Sequence, residues 1–175
     1  MPGWREALAA SGVLDLLAGF DPRIAGTLPL GVSIAGSDID ILCHAPEPDE
    51  VADRLWRWRE RLPALNLRQW TTGLRPIVAG FNLGDWPVEV FASPVEVDRQ
   101  EGWRHFVAEG RLLALGGDAL RERVMALRRG GAKTEPAFAM ALGLRGNPYA
   151  ELYKLSHAPD AELRDVLLLA GFGKA

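Results

Sequence analysis

The 175-residue sequence is poor in several features that common functions require. It has a single cysteine, Cys43, which excludes an internal disulfide and a cysteine-rich zinc site. A lone thiol fits a reducing compartment, and the reading is a cytoplasmic protein. No apolar run approaches the roughly 20 residues that cross a bilayer, so no membrane role is expected. The opening Met-Pro-Gly-Trp-Arg-Glu lacks the basic start and apolar stretch of a secretory leader. Charge is also sparse in one respect. The net value is −3, and no block of five like charges occurs. Without a basic stripe, extended nucleic acid is not an expected partner. A small substrate or short nucleotide suits this balance better. Internal repeats and low-complexity segments are absent.

Apolar residues make up 48% of the chain, enough for the core of one domain or of a domain with a helical appendage. Residues 5–19 carry the stripe Leu8, Val13, Leu16 and Leu17, which predicts a helix ending at Gly19. Arg23-Ile24-Ala25 is a short strand candidate. A glycine-containing loop follows to Gly36, with room for one helical turn. Residues 37–44 alternate, with Asp38, Asp40 and Leu42 on one side and Ile39, Ile41 and Cys43 on the other, which predicts a strand. Val51, Leu55, Trp58 and Leu62 predict an amphipathic helix over 48–62. Strands are expected near 66–72, 75–82 and 86–92, with Gly84-Asp85 turning between the last two. From 102 onward the pattern is helical, with stops at Gly130-Gly131 and starts at Thr134 and Asn147-Pro148.

These elements predict an α+β fold, α/β-like in character. It has a mixed sheet of about four or five strands with flanking helices and a C-terminal helical region. The expected division is a core over 1–97 and a helical region over 98–175 packed on it.

Two carboxylates two residues apart on a strand share a face. Asp38 and Asp40 stand in that relation. Alone, an Asp-x-Asp tripeptide reads first as a solvated pair on a wet strand. Their neighbours Ile39, Ile41 and Leu42, however, predict a mostly buried strand, where acids need partners. A divalent cation with phosphate oxygens is such a partner. Glu89, within Trp86-Pro87-Val88-Glu89-Val90-Phe91, faces away from the apolar Trp86, Val88 and Val90. It converges on the pair if its strand neighbours 37–44. Asp85 and Glu96 are rivals at turns or strand ends. Upstream, Gly26-Thr27 offers backbone amides and a hydroxyl to phosphate, and ten residues separate it from Asp38.

Gly26-Thr27, Gly36-Ser37-Asp38-Ile39-Asp40-Ile41 and Val88-Glu89-Val90 resemble, in order, the signature of the DNA-polymerase-beta-like nucleotidyltransferase superfamily. Thr27 departs from the usual Ser or Gly but keeps the hydroxyl. The resemblance covers residues 20–92, and the helical half is similar to a bacterial family of uncharacterised function within that superfamily. It implies metal ligation and catalysis by Asp38, Asp40 and Glu89, and nucleotide binding by Gly26, Thr27 and Ser37. It also implies a two-ion Mg²⁺ or Mn²⁺ site and a nucleoside triphosphate substrate. The implied reaction transfers a nucleoside monophosphate to an unidentified acceptor and releases pyrophosphate. The alternative is a noncatalytic nucleotide-binding protein, or a toxin–antitoxin-type partner, of the same fold.

Further candidate substrate contacts are Arg75 at a strand start, His105 with Glu109 on one helix face, Lys133 beside the Thr134 start, and Lys154. Tyr149 and Tyr153 are expected in the core. Trp56, Trp58 and Trp103 are expected in the core or between helices. His44 follows the acid strand and is a candidate for the metal edge. Cys43 is expected to be a small buried apolar residue.

Overall fold

In the computed structural model, which describes residues 3–173, the first expected helix is broken in its middle. Gly12 adopts φ 71, a left-handed conformation that glycine takes without steric cost, and it separates α1 (Trp4–Ser11) from α2 (Val13–Leu16). A 3₁₀ turn at Ala18–Phe20 follows. The stripe read as one helix is therefore two short ones, and both still bury their leucine or valine.

The chain divides into two units. One comprises Met1–Leu28 and Ala35–Gln100, the other Pro29–Ile34 and Glu101–Ala175. The first unit holds a five-stranded mixed sheet. After β1 (Arg23–Ala25) the chain makes one helical turn, α3 (Thr27–Leu30), and then enters β2 (Ile39–His44). Next come α4 (Pro48–Arg57), β3 (Asn66–Gln69), β4 (Ile77–Leu83) and β5 (Trp86–Ser93). Pro48 at the first turn of α4 suits a helix start, where its missing N–H has no intrahelical partner to lose. The expected helix over 48–62 stops sooner, because its last part tightens into a 3₁₀ turn at Arg59–Arg61.

The strand order is β1-β2-β5-β4-β3. Among the described residues β2 and β5 pair in parallel, and the other three pairings are antiparallel. One face of this sheet is apolar, and Ile39, Ile41, Cys43, Val90, Ala79 and Ala92 are fully buried. They share a core with Val51 and Leu55 of α4 and Leu8 and Val13 of the N-terminal helices. Each large side chain buried this way stabilises by roughly 1.5–3 kcal/mol, so the strand register is firmly fixed.

The second unit contains α5 (Glu101–Arg129), α6 (Thr134–Leu142), α7 (Pro148–His157) and α8 (Asp160–Leu169). The α5 helix is kinked at Gly117, whose φ of 62 no helix interior accommodates. The Asn147 side chain caps α7 by accepting from the N–H groups of Tyr149 and Ala150. Val32, Leu112, Leu120, Phe138, Leu152 and Leu163 lie within its core. Tyr149 and Tyr153, expected in the core, are exposed instead, as is Trp56 in the first unit. Each lies on the outer face of its amphipathic helix, where an aromatic ring keeps one wet side. Among the described residues no helix is long and apolar enough to cross a membrane.

Candidate active site

The apolar alternation of Ile39, Ile41 and Cys43 forces Asp40 to the opposite sheet face. Pairing then supplies its neighbours. The parallel register sets Asp40 opposite Glu89, and the antiparallel register sets it opposite Ala25. Glu89 in turn lies opposite Gly80 of β4, and Gly80 opposite Asn66 of β3. A single row therefore crosses the sheet, from Ala25 through the two acids to Asn66.

Gly26 follows Ala25 at φ 76, and a Cβ placed on it would lie 1.8 Å from Oδ2 of Asp40 and 2.8 Å from its Cγ. The carboxylate rests directly against the glycine backbone. Two separate requirements thus fix glycine at this position: a left-handed conformation and the absence of a side chain. Thr27 opens the single turn of α3 immediately after it.

Asp38 lies just ahead of β2 rather than within it, after a turn at Ala35 and Gly36, and Ser37 precedes it. Its charge nevertheless reaches Glu89. The Glu89 carboxyl is pushed above the usual glutamate range, first by burial and then by the Asp38 carboxylate; the Arg68 guanidinium opposes the rise. Acids held in mutual repulsion favour a cation between them, and their all-oxygen donors match magnesium or manganese. Among the described residues no group of three or more His, Cys, Asp or Glu stands in finished metal-holding geometry. What the chain itself provides is pairwise: Asp40 beside Glu89 by register, and Asp38 acting on Glu89 through its charge.

The neighbouring thiol takes no part. Cys43 is buried on the apolar face, and burial, followed by the Asp21 charge, pushes its pKa up to about 12. Such a thiol stays protonated and unreactive.

The remaining candidates have other partners. Arg75 is exposed at φ 50 and donates to Oε1 of Gln69 at 2.8 Å. His105 engages Glu135 and the Tyr149 carbonyl. Lys133 stands at the N-terminus of α6 and lines a cavity of about 330 Å³ with Arg128, Thr134 and Glu135. Lys154 pairs with Glu151 at 2.7 Å on the surface. Arg68, which tempers Glu89, was not singled out in the sequence. Its signal was the alternation within β3, which places Arg68 on the same face as Asn66.

A family model described as a domain of unknown function, DUF4269, matches residues 6–155. No curated protein matches the chain. Among solved structures, the RNA terminal uridylyl transferase Cid1 aligns with a TM-score of 0.56 at 11% identity, over 82% of this chain and 49% of that one. A mutant of the Cid1 poly(U) polymerase bound to MgATP gives 0.55 at 10% identity, over 85% and 47%. GLD-2 in complex with RNP-8 gives 0.51 at 10% identity, over 77% and 52%. The chain thus spans about half the length of these structures, and it shares with them a nucleotidyltransferase-like fold.

Proposed function

Because the chain belongs to the DUF4269 family, whose description assigns no function, we propose from its own site that it is a metal-dependent nucleotidyltransferase. It moves a nucleoside monophosphate from a nucleoside triphosphate to an acceptor and releases pyrophosphate. The observation that carries this reading is the seat of Asp40, against Gly26 on one side and opposite Glu89 on the other. Fold neighbours bound to MgATP and MgGTP support it.

Asp38, Asp40 and Glu89 would hold two Mg²⁺ or Mn²⁺ ions, which when bound neutralise charge on the triphosphate and the reacting oxygens. The backbone of Gly26 and Thr27, with the Ser37 and Thr27 hydroxyls, receives phosphate oxygens. An acceptor oxygen attacks the α-phosphorus, and the bond from that phosphorus to the bridging oxygen breaks. Pyrophosphate departs with the bond's electron pair. The acceptor's proton passes to Glu89, the acid that the parallel register sets beside Asp40. Most of the acceleration comes from positioning and preorganised charge.

The test is thermal unfolding with Mg²⁺ and a nonhydrolysable triphosphate, alongside pyrophosphate release from the hydrolysable one across an acceptor panel. Ligand at a hundred times its Kd stabilises the folded state by about 2.7 kcal/mol. Asp40→Asn is expected to lose both responses. A wild-type protein that shows neither, with each of the common triphosphates, sinks the proposal.

A further inference from the structure

The row of acids continues along the same sheet face into an unexpected group of side chains. Phe91 lies two residues beyond Glu89 on β5, so the two project together, about 7 Å apart along the strand. Phe91 pairs in register with Val78, and Val78 with Arg68. Trp70 follows Arg68 by two residues, and its N–H bonds to the Pro76 carbonyl, which extends the ladder past the end of β3. Its indole meets the Phe91 ring edge-on, with centroids 5.9 Å apart and planes at 69°. Trp70 is nonetheless 55% exposed, and Leu74 on the same connection is 59% exposed. An indole that is pinned along one edge and open to solvent elsewhere loses little freedom on stacking. The exposed guanidinium of Arg68 sits beside it on the same face and acts on Glu89.

We propose that Trp70, with Arg68, forms the acceptor subsite of the reaction inferred above, and that it takes a nucleotide whose base stacks on the indole and whose phosphate meets the guanidinium. This rests on that reading for its connection to Glu89. The chemistry selects the class. A planar π-ring uses the indole, and a phosphate complements Arg68, with Arg75 on the same connection. A polycationic sugar meets the same two arginines as repulsion.

The probes are adenosine monophosphate and a short single-stranded oligoadenylate, added without triphosphate or metal while indole fluorescence is followed. Quenching by both indicates a free nucleotide, and quenching by the oligoadenylate alone indicates a chain end; either supports the subsite if Trp70→Leu, which lacks the reporting indole, also loses binding of that probe in equilibrium dialysis. Trp70→Leu keeps an apolar side chain against Phe91, and Trp70→Phe, which keeps a π-face, is expected to bind in between in the same dialysis. Unfolding curves of both variants check that they fold. With the oligoadenylate as acceptor, Trp70→Leu is expected to raise its KM about tenfold, the loss of one stacked base, with the loss falling on KM rather than kcat. Asp40→Asn is expected to lose pyrophosphate release and keep the quenching, which separates failure of the chemistry from failure of the subsite. No quenching by either probe, or equal binding by wild type and Trp70→Leu in dialysis, overturns the proposal.

Discussion

Two half-buried glutamates, one in each unit, are displaced in opposite directions. Burial raises the pKa of both. At Glu89 the neighbouring Asp38 carboxylate adds to the rise, and Arg68 only tempers it. At Glu135 the neighbouring His105, together with Glu135's own backbone N–H and the Lys133 charge, outweighs burial, and the net shift is downward. The geometry around His105 explains why. Its Nε2 is 3.0 Å from the Tyr149 carbonyl, which only accepts, so Nε2 carries a hydrogen. Its Nδ1 faces Oε1 of Glu135 at 3.6 Å and carries one too only in the imidazolium form. Burial lowers the His105 pKa, yet Glu135 and the carbonyl more than restore it, and the net shift is upward. The helical unit thus joins α5 to α6 through an ion pair and to α7 through the Tyr149 carbonyl. The sheet unit instead holds Glu89 against the Asp38 carboxylate, a state that stability alone does not favour.

The comparison breaks hardest at Asp40. Asp40→Asn is expected to lower pyrophosphate release at least about 100-fold, the scale for loss of one preorganised charge-stabilising group. A variant within a few-fold of wild type would place the chemistry elsewhere. Gly26→Val is expected next in size, because it puts a side chain where the Asp40 carboxylate lies and forces a β-branched residue to positive φ. A loss of about 2–3 kcal/mol in denaturant unfolding, together with loss of activity, is the expected outcome. In the helical unit, Glu135→Gln is expected to cost about 1–3 kcal/mol by leaving His105 without its charge partner. The sign fixes the pH window. Glu135, with its lowered pKa, stabilises above its ordinary 4.5 and loses that contribution as pH falls through the folded value. His105, with its raised pKa, stabilises fully below its ordinary 6.5 and loses that contribution as pH rises through the folded value. The gap between wild type and Glu135→Gln is therefore widest at mildly acidic pH and narrows on either side. A gap independent of pH would remove the ion pair from the account.

Much of the sheet unit could be read in the sequence because its signals are local. Alternation from Ile39 to Cys43 fixed β2, and Gly84-Asp85 fixed the β4–β5 turn. The neighbour relation between β2 and β5 was only a condition in that reading. It depends on β5 inserting between β2 and β4, a non-local choice of strand order that no local pattern encodes. The break at Gly12 was missed because the apolar stripe runs straight through it: both halves bury their residues in the same core whether or not the helix is continuous. Asp38 reads as a strand residue for a similar reason. The alternation extends one residue past the point where hydrogen bonding with β5 begins at Ile39 and Val88. The pairing of His105 with Glu135 rather than Glu109 joins two helices, and helical spacing along α5 reports only the intrahelical neighbour.

The smallest effect is also the sharpest test of the contrast between the two glutamates. A carboxyl whose pKa is raised on folding stabilises the protein below its unfolded value, ordinarily 4.5 for glutamate, and that contribution is lost as pH rises through the folded value. Once ionised, Glu89 is held in the native protein against burial and against Asp38. Glu89→Gln removes that charge, and an amide of almost the same shape remains. The variant is expected to melt slightly above wild type at pH 7 and to match it near pH 4, while pyrophosphate release is lost. Glu135→Gln should do the reverse at neutral pH and melt below wild type. If Glu89→Gln also melts lower at pH 7, then Glu89 is a stabilising partner in the native fold, as Glu135 is. Glu89 would then belong to a settled network rather than stand against the Asp38 charge.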